Sequence, residues 1–205
     1  MQASFEDARY AEEFIKTVPH GVTVFGSARE MENSLYYKRA YSLGKLLAER
    51  NIAVITGGGP GIMQAANHGA HDARGVSVGI NINLPFEQDK NCFTTKNITV
   101  KTFSLRKHLF VTLSAAYAVF PGGFGTLDEF AEIITLVQTE KIPPIPIALC
   151  GKSFWEGLLR WFEQLKGYNY ISPKDMSIFT IMEEPVEIAD YLSDCLDSDK
   201  GIDCK

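Results

Sequence analysis

The chain has 205 residues, of which 45% are hydrophobic and 22% are charged, and its formal net charge is −5 at pH 7. A chain of this length fits one domain that buries roughly 70% of the surface exposed in its unfolded form. The excess of acidic residues argues against a surface for nucleic acid or for an anionic membrane, because both need clustered Lys and Arg. A local pocket for a small anion remains compatible with this charge.

The chain has no pattern typical of secretion, of a membrane span or of a disulfide framework. Its first residues lack the basic and apolar regions of a signal peptide, and no apolar run reaches the ~18 residues that a span needs. The four cysteines, at 92, 150, 195 and 204, form no C-x-x-C pair and are expected to be free thiols. These features predict a cytoplasmic protein.

Hydrophobic periodicity predicts an alternation of helices and strands. In chain order the predicted elements are a helix at about 5–17, a strand at 21–26, a helix at 35–49, a strand at 52–56, a helix that begins at Gly61, strands at 76–82 and 98–102, a helix around 105–110, a strand at 116–120, a helix at 127–138, a strand at 145–149, a helix around Trp155 and Phe162, a short strand near 178–181 and a helix after Pro185. This alternation predicts a single α/β domain over residues 1–205, with a doubly wound parallel sheet of about six to seven strands and helices on both faces.

Two glycine-rich segments each follow a predicted strand and precede a predicted helix. Residues 57–63 read Gly-Gly-Gly-Pro-Gly-Ile-Met, and residues 121–126 read Pro-Gly-Gly-Phe-Gly-Thr. Such loops present bare backbone N–H groups at a helix N-terminus, where the helix dipole favours an anion such as a phosphate. Loops at the carboxyl ends of strands converge in this kind of sheet, so a nucleotide-binding site is predicted. Its candidate residues are Gly26 and Ser27 after the first strand, Gly58, Gly59, Gly61, Gly122, Gly123 and Gly125.

Other known motifs do not fit. A dinucleotide fingerprint G-x-G-x-x-G would need glycine at Ile62 or at Asp128, and a Walker A loop ending at Ser153 would need glycine at Pro146. His68 and His71 have a spacing that a metal could use, but no third ligand accompanies them. A solvated helix face is the favoured interpretation, and no metal site is predicted.

The two loops fit the longer patterns G-G-G-x-G-I-M and P-G-G-x-G-T-x-x-E, and an Arg-Lys pair at 106–107 lies between them. On these motifs the chain resembles the LOG family, the cytokinin riboside 5′-monophosphate phosphoribohydrolases, once labelled lysine decarboxylases. The resemblance covers about residues 20 to 165. It implies a Rossmann-like homodimer or higher homo-oligomer that hydrolyses the N-glycosidic bond of AMP-type or cytokinin nucleoside 5′-monophosphates, releasing the free base and ribose 5-phosphate.

By this resemblance Arg106 and Glu129 form the catalytic pair, and Thr126 holds the 5′-phosphate together with the glycine loops. Breaking a ribosyl C–N bond develops positive charge at the anomeric carbon, so the site needs a nearby carboxylate and an attacking water. Glu129, one helical turn beyond the second loop, is suitably placed. The alternative is a capping box in which Glu129 pairs with Thr126. Arg106 could hold the phosphate or ribose or orient Glu129, and its alternative is a surface charge at a helix start.

Three further residues are candidates for substrate contact. Lys107 is assigned to nucleotide binding, although its position in the helix points about 100° away from that of Arg106. Glu87 is a second candidate carboxylate, or an exposed loop charge. Met63 is a candidate for packing on the base, or an ordinary core residue.

Two other functions compete with hydrolysis. A non-catalytic nucleotide sensor would use the same loops for binding alone. A decarboxylase would need a Schiff-base lysine for pyridoxal phosphate, and no lysine is singled out for that task, so no cofactor is expected. The apolar helices 105–113 and 130–137 could form a dimer interface or could simply cover the sheet.

Overall fold

A computed structural model describes residues 5–83 and 91–197. Its centre is a seven-stranded sheet whose strand pairs are all parallel, in the order β4-β3-β2-β1-β5-β6-β7. The strands are β1 (Gly21–Phe25), β2 (Ala53–Thr56), β3 (Ser77–Ile82), β4 (Lys96–Val100), β5 (Ser114–Val119), β6 (Ile147–Cys150) and β7 (Thr180–Met182). The helices are α1 (Phe5–Ile15), α2 (Leu35–Glu49), α3 (Ile62–Asp72), α4 (Phe103–Leu113), α5 (Phe124–Gln138), α6 (Lys152–Gly167) and α7 (Pro185–Asp197), with a short 3-10 helix at Pro173–Ser177.

The strands at the middle of the sheet are apolar on both sides because helices cover both faces. Every residue of β1, β2 and β6 is buried, whereas the edge strand β4 includes exposed positions and no residue of the edge strand β7 is fully buried. One face packs against α1, α4, α5 and α6 through side chains such as Phe110, Phe130 and Trp155. The other face packs against α2, α3 and α7 through Leu43, Ala66 and Ile188.

The strand order reverses between β1 and β5, which are adjacent and parallel. Strands β2, β3 and β4 extend from one side of β1, and β6 and β7 extend from the far side of β5. Loops that leave the two strands at such a point diverge to opposite faces of the sheet and leave a crevice between them. The exit of β1 and the second glycine segment border this crevice.

The predicted Rossmann-like, doubly wound sheet is confirmed, with seven strands and with helices on both faces. Element boundaries shift by a few residues, and the largest consequence is at α5, which begins at Phe124 rather than at Leu127. The apolar residues of the 105–113 and 130–137 segments cover the sheet, since Leu109, Phe110 and Ile133 are buried in its core. In the described residues, no helix has both the length and the apolar character needed to cross a membrane.

Candidate active site

The carboxyl ends of β1, β2 and β5 open into a cleft of about 630 Å³. Nine of the predicted site residues line it: Gly26, Ser27, Gly59, Met63, Arg106, Gly123, Gly125, Thr126 and Glu129. Segments that are far apart in the sequence, one after each of the three strands and one on α4, therefore meet at one site.

Four predicted residues do not line the cleft, and one lies outside the described residues. Gly58, Gly61 and Gly122 shape the backbone beneath it, and the side chain of Lys107 pairs with carboxylates of α5. Glu87 belongs to the segment 84–90, which the structure does not describe.

The first glycine loop is held from below by a buried polar network. Gly58 adopts φ +69°, a conformation that favours glycine, and its N–H donates to the hydroxyl of Thr56 at 2.9 Å. That hydroxyl donates to Oδ1 of Asn67, whose amide nitrogen donates to the Ser77 hydroxyl at 2.8 Å. Asn67 Oδ1 also accepts from the side-chain amide of Asn91 at 2.8 Å. The network thus connects the first glycine loop to α3 through Asn67, to β3 through Ser77, and to Asn91.

The exit of β1 is hydrogen-bonded to both glycine segments. The N–H of Ser27 donates to the carbonyl of Pro121 at 2.9 Å, and its own carbonyl accepts from the N–H of Ile62 at 3.0 Å. Gly61, with φ +68°, lies so close that a Cβ there would clash with the Ser27 carbonyl. The first turns of α3 and α5 are therefore fixed relative to one another through a single residue.

The second glycine segment is the start of α5. Gly123 is the N-cap residue and no side chain caps the helix there. A Cβ on Gly123 or Gly125 would meet nothing within 4 Å, whereas one on Gly122 would clash with the hydroxyl of Thr126. Because the helix already includes Thr126 and Glu129, the capping-box alternative is wrong. The open space over this helix start is suited to an anion.

Arg106 is not a surface charge, contrary to the alternative interpretation of it. Its Nε donates to the carbonyl of Ile80 at 2.9 Å, its Nη2 donates to the carbonyl of Gly57 at 3.0 Å, and its guanidinium lies 5.4 Å from the ring centre of Phe110. A Cβ on Gly57 would clash with Nη2, so glycine is needed there for the arginine to approach. Burial lowers the pKa of Arg106, and Glu129 opposes this shift. The guanidinium remains charged at the floor of the cleft.

Glu129 has a carboxyl whose protonation is set by its surroundings. Burial raises its pKa to about 7, against an ordinary value of 4.5. The positive charges of Arg106 and Lys107 lower this pKa, and the carboxylates of Asp128 and Glu132 raise it. Carboxyls with a pKa near neutrality can both accept and return a proton at physiological pH, which general acid–base catalysis requires.

Lys107 joins α4 to α5. Its Nζ lies 2.7 Å from an oxygen of Asp128 and 3.2 Å from one of Glu132. The Lys107 ammonium, a candidate for nucleotide binding, is thus paired with two carboxylates of the protein. Lys107 therefore acts on the cleft through its neighbours Arg106 and Glu129, which belong to the same two helices.

Five lining residues are absent from the sequence-based candidates, and Arg29 and Phe124 are the two of them with large exposed side chains. Arg29 is exposed, and its N–H donates to the Ser27 hydroxyl at 3.0 Å. Phe124 occupies the variable position of the second glycine segment and is 90% exposed. Its position inside that motif could have indicated a cleft residue, since an apolar side chain between the glycines of an exposed loop does not pack in the core.

The histidines considered for a metal make other contacts. The ring of His68 stacks on Phe93 with centroids 3.9 Å apart, and its Nε2 lies 3.4 Å from Asp72. Tyr41 donates to the same carboxylate at 2.7 Å. The described residues contain no group of three or more His, Cys, Asp or Glu placed to hold a metal ion.

A family model described as "Possible lysine decarboxylase" matches residues 63–192, which is more than half of the chain. The chain belongs to this family. Its curated relatives carry LOG names, so the resemblance to the LOG family is confirmed. The cytokinin riboside 5′-monophosphate phosphoribohydrolase LOG3 of Arabidopsis thaliana is 27% identical over 84% of this chain and 81% of that protein. A cytokinin riboside 5′-monophosphate phosphoribohydrolase from Rhodococcoides fascians is 26% identical over 79% of this chain and 83% of its own length.

Solved structures with the same fold include proteins that are named as carriers. The molybdenum cofactor carrier protein of Chlamydomonas reinhardtii superposes with a TM-score of 0.64 at 22% identity, covering 87% of this chain and 98% of that one. The molybdenum cofactor binding protein of Rippkaea orientalis gives a TM-score of 0.61 at 22% identity over the same shares. At this identity the likeness establishes the Rossmann-like fold of LOG proteins and nothing about the ligand.

Proposed function

We propose that the protein hydrolyses the N-glycosidic bond of nucleoside 5′-monophosphates, giving the free base and ribose 5-phosphate. The observation that carries this proposal is the arrangement of Glu129, whose pKa is near 7, beside the charged Arg106 in a cleft bordered by two glycine loops. The family and the names of the curated relatives support it.

The phosphate of the substrate would lie over the start of α5, where Gly123 and Gly125 leave open space. Backbone N–H groups and the helix dipole favour an anion there. Glu129 follows Gly125 by four residues, about one helical turn. A ribose attached to a phosphate at the loop therefore brings its anomeric carbon toward this carboxyl.

Cleavage transfers one water molecule across the C–N bond. The bond between C1′ and the base nitrogen breaks with its electron pair moving to the base, and a water oxygen forms a new bond to C1′. The ionised carboxylate of Glu129 stabilises positive charge at C1′ and accepts the proton that the water loses. A proton returns to the base nitrogen, so the products are neutral base and ribose 5-phosphate.

Arg106 keeps part of the Glu129 population ionised. Its positive charge lowers the pKa of a carboxyl that burial alone would raise further. Two backbone carbonyls hold the guanidinium in place, so it needs no rearrangement when the substrate arrives. Fixed charges of this kind contribute more to catalysis than mobile ones.

A lysine for a pyridoxal phosphate Schiff base is not found among the described residues that line the cleft. These residues do not fit that cofactor, and the decarboxylase function is not proposed. A cytoplasmic location and a homodimer or higher homo-oligomer stay predictions from the sequence.

The test is incubation of the purified protein with AMP and with isopentenyl-AMP, followed by chromatography for the base and for ribose 5-phosphate. Release of both products in equal amounts is expected from at least one substrate, and Glu129→Gln should abolish it. The rates of base release from the two substrates also measure the base preference of the site. Met63 is the candidate residue for contact with the base. Tight binding of either nucleotide with no product would instead identify a non-catalytic nucleotide-binding protein.

A further inference from the structure

We infer that Arg29 binds the 5′-phosphate of the substrate and so makes the site select nucleotides over nucleosides. This inference rests on the proposed function. It assigns a role to a residue for which the glycine motifs give no indication.

The charges of the cleft point to Arg29. Its described lining residues include three charged side chains, those of Arg29, Arg106 and Glu129. Arg106 donates hydrogen bonds to two backbone carbonyls and interacts with Glu129. A phosphate adds up to two negative charges to a site that already contains a carboxyl. Arg29 is the remaining cation within the described lining, and its side chain has no hydrogen bond or ion pair to another described residue.

The backbone of Arg29 is held beside both helix starts. Its N–H donates to the hydroxyl of Ser27, the residue that is hydrogen-bonded to Pro121 and to Ile62. The guanidinium therefore extends from a fixed point next to the first turns of α3 and α5. An arginine fork suits a phosphate because it can donate two parallel hydrogen bonds to two phosphate oxygens.

Arg29 and Arg106 belong to different parts of the cleft. The charges that shift the pKa of Glu129 come from α4 and α5, namely Arg106, Lys107, Asp128 and Glu132. Arg29 lies on the β1 exit, between the glycine segments. Arg106 thus belongs with the carboxyl at the sugar, and Arg29 belongs with the loops at the phosphate.

The test compares Arg29→Gln with Arg160→Gln. Arg160 is an exposed arginine of α6, whose nearest carboxylate oxygen is 3.9 Å away, and it does not line the cleft. Loss of one charge-assisted contact to phosphate should raise the KM for AMP by about 10- to 100-fold in Arg29→Gln, with kcat changed less than about threefold. The KM for adenosine should stay the same. Arg29→Lys should recover part of the loss, and Arg160→Gln should behave as the wild type.

Calorimetry with ribose 5-phosphate separates failure of this inference from failure of the proposed function. The inference is supported if Arg29→Gln binds ribose 5-phosphate at least about tenfold more weakly than the wild type does, even if neither protein hydrolyses a nucleotide. Equal binding to both proteins overturns it, even if AMP is hydrolysed. A wild type that binds no ribose 5-phosphate also overturns it. Because Arg29 is exposed, equal thermal unfolding of the two variants serves as the check on folding.

Discussion

Lys107 and Asp128 form an ion pair of 2.7 Å between α4 and α5. Each is the sequence neighbour of a candidate catalytic residue, Arg106 on α4 and Glu129 on α5. The ion pair therefore joins the two helix segments that carry the candidate catalytic residues. It also places a positive and a negative charge where both act on the Glu129 carboxyl.

The pH dependence of hydrolysis should follow these charges. If ionised Glu129 accepts the proton from water, kcat/KM rises with pH around a midpoint near 7, because the acid form predominates below the pKa of about 7. Glu132→Gln should move the midpoint to lower pH, since the Glu132 carboxylate raises this pKa. Lys107→Met should move it to higher pH, since the ammonium lowers it.

The control for these two variants is Glu156→Gln, an exposed carboxylate of α6 that does not line the cleft. Its midpoint should equal that of the wild type. Titration of the substrate phosphate affects all four proteins equally and cancels in the comparison. An unchanged midpoint in both Glu132→Gln and Lys107→Met would contradict the role given to Glu129.

The stability of the protein should also depend on the ionisation of Glu129. Its pKa is about 7 in the folded state against an ordinary 4.5, so the folded protein binds this proton more tightly than the unfolded chain does. The resulting stabilisation is complete below pH 4.5 and is lost as the pH rises through 7. Glutamine does not ionise and escapes this loss. Between pH 4.5 and 8, Glu129→Gln should gain up to about 3 kcal/mol in the free energy of unfolding relative to the wild type.

Urea unfolding of both proteins at pH 5 and pH 8 measures this difference. Its sign is the critical result, since a carboxylate stabilised by an ion pair would give the opposite change. A variant that loses stability relative to the wild type on going from pH 5 to pH 8 would show that Glu129 is not held by burial.

We expect the glycine at position 125 to be needed for ligand binding and not for folding. Its φ is not positive and a Cβ there would meet nothing within 4 Å, so alanine is compatible with the helix. Gly125→Ala should stabilise the protein by up to about 1 kcal/mol, because alanine favours the helix. The same methyl group would enter the space over the start of α5 and should raise the KM for AMP by about tenfold or more.

Gly157→Ala provides the matched comparison. Gly157 lies in α6, a Cβ there also meets nothing within 4 Å, and it does not line the cleft. This variant should gain similar stability and keep the KM of the wild type. Equal KM values in Gly125→Ala and Gly157→Ala would mean that no ligand lies over the second glycine segment.

The buried amide of Asn67 should matter for both stability and the first glycine loop. Asn67→Ala removes the acceptor of the Thr56 hydroxyl and leaves buried polar groups without a partner, which should cost about 2 to 4 kcal/mol in urea unfolding. The exposed Asn97 of β4 is the control, and its alanine variant should stay within about 0.5 kcal/mol of the wild type. A loss below 1 kcal/mol in Asn67→Ala would contradict the network as a support of the loop.

The sheet and the meeting of the two glycine segments were predictable because they depend on local patterns. Apolar runs followed by glycine loops indicate buried parallel strands and their carboxyl ends. The start of α5 was not predictable, since the three glycines within residues 122–125 favour a loop, yet Gly125 lies in the first helical turn. The contacts of Lys107 with α5 and the position of Arg29 depend on how helices and loops pack. No spacing along the chain reports on either of them.

The hydrogen bonds of Ser27 have a consequence for protein synthesis. Ser27 leaves the ribosome early, yet its partner Pro121 follows more than ninety residues later, and β5 must enter the sheet beside β1 before they can meet. A nascent chain that ends before residue 126 therefore has its first glycine loop but lacks the lining that the second glycine segment and α5 give to the cleft. Nucleotide binding by ribosome-attached fragments of increasing length should begin only after the whole of α5 has emerged.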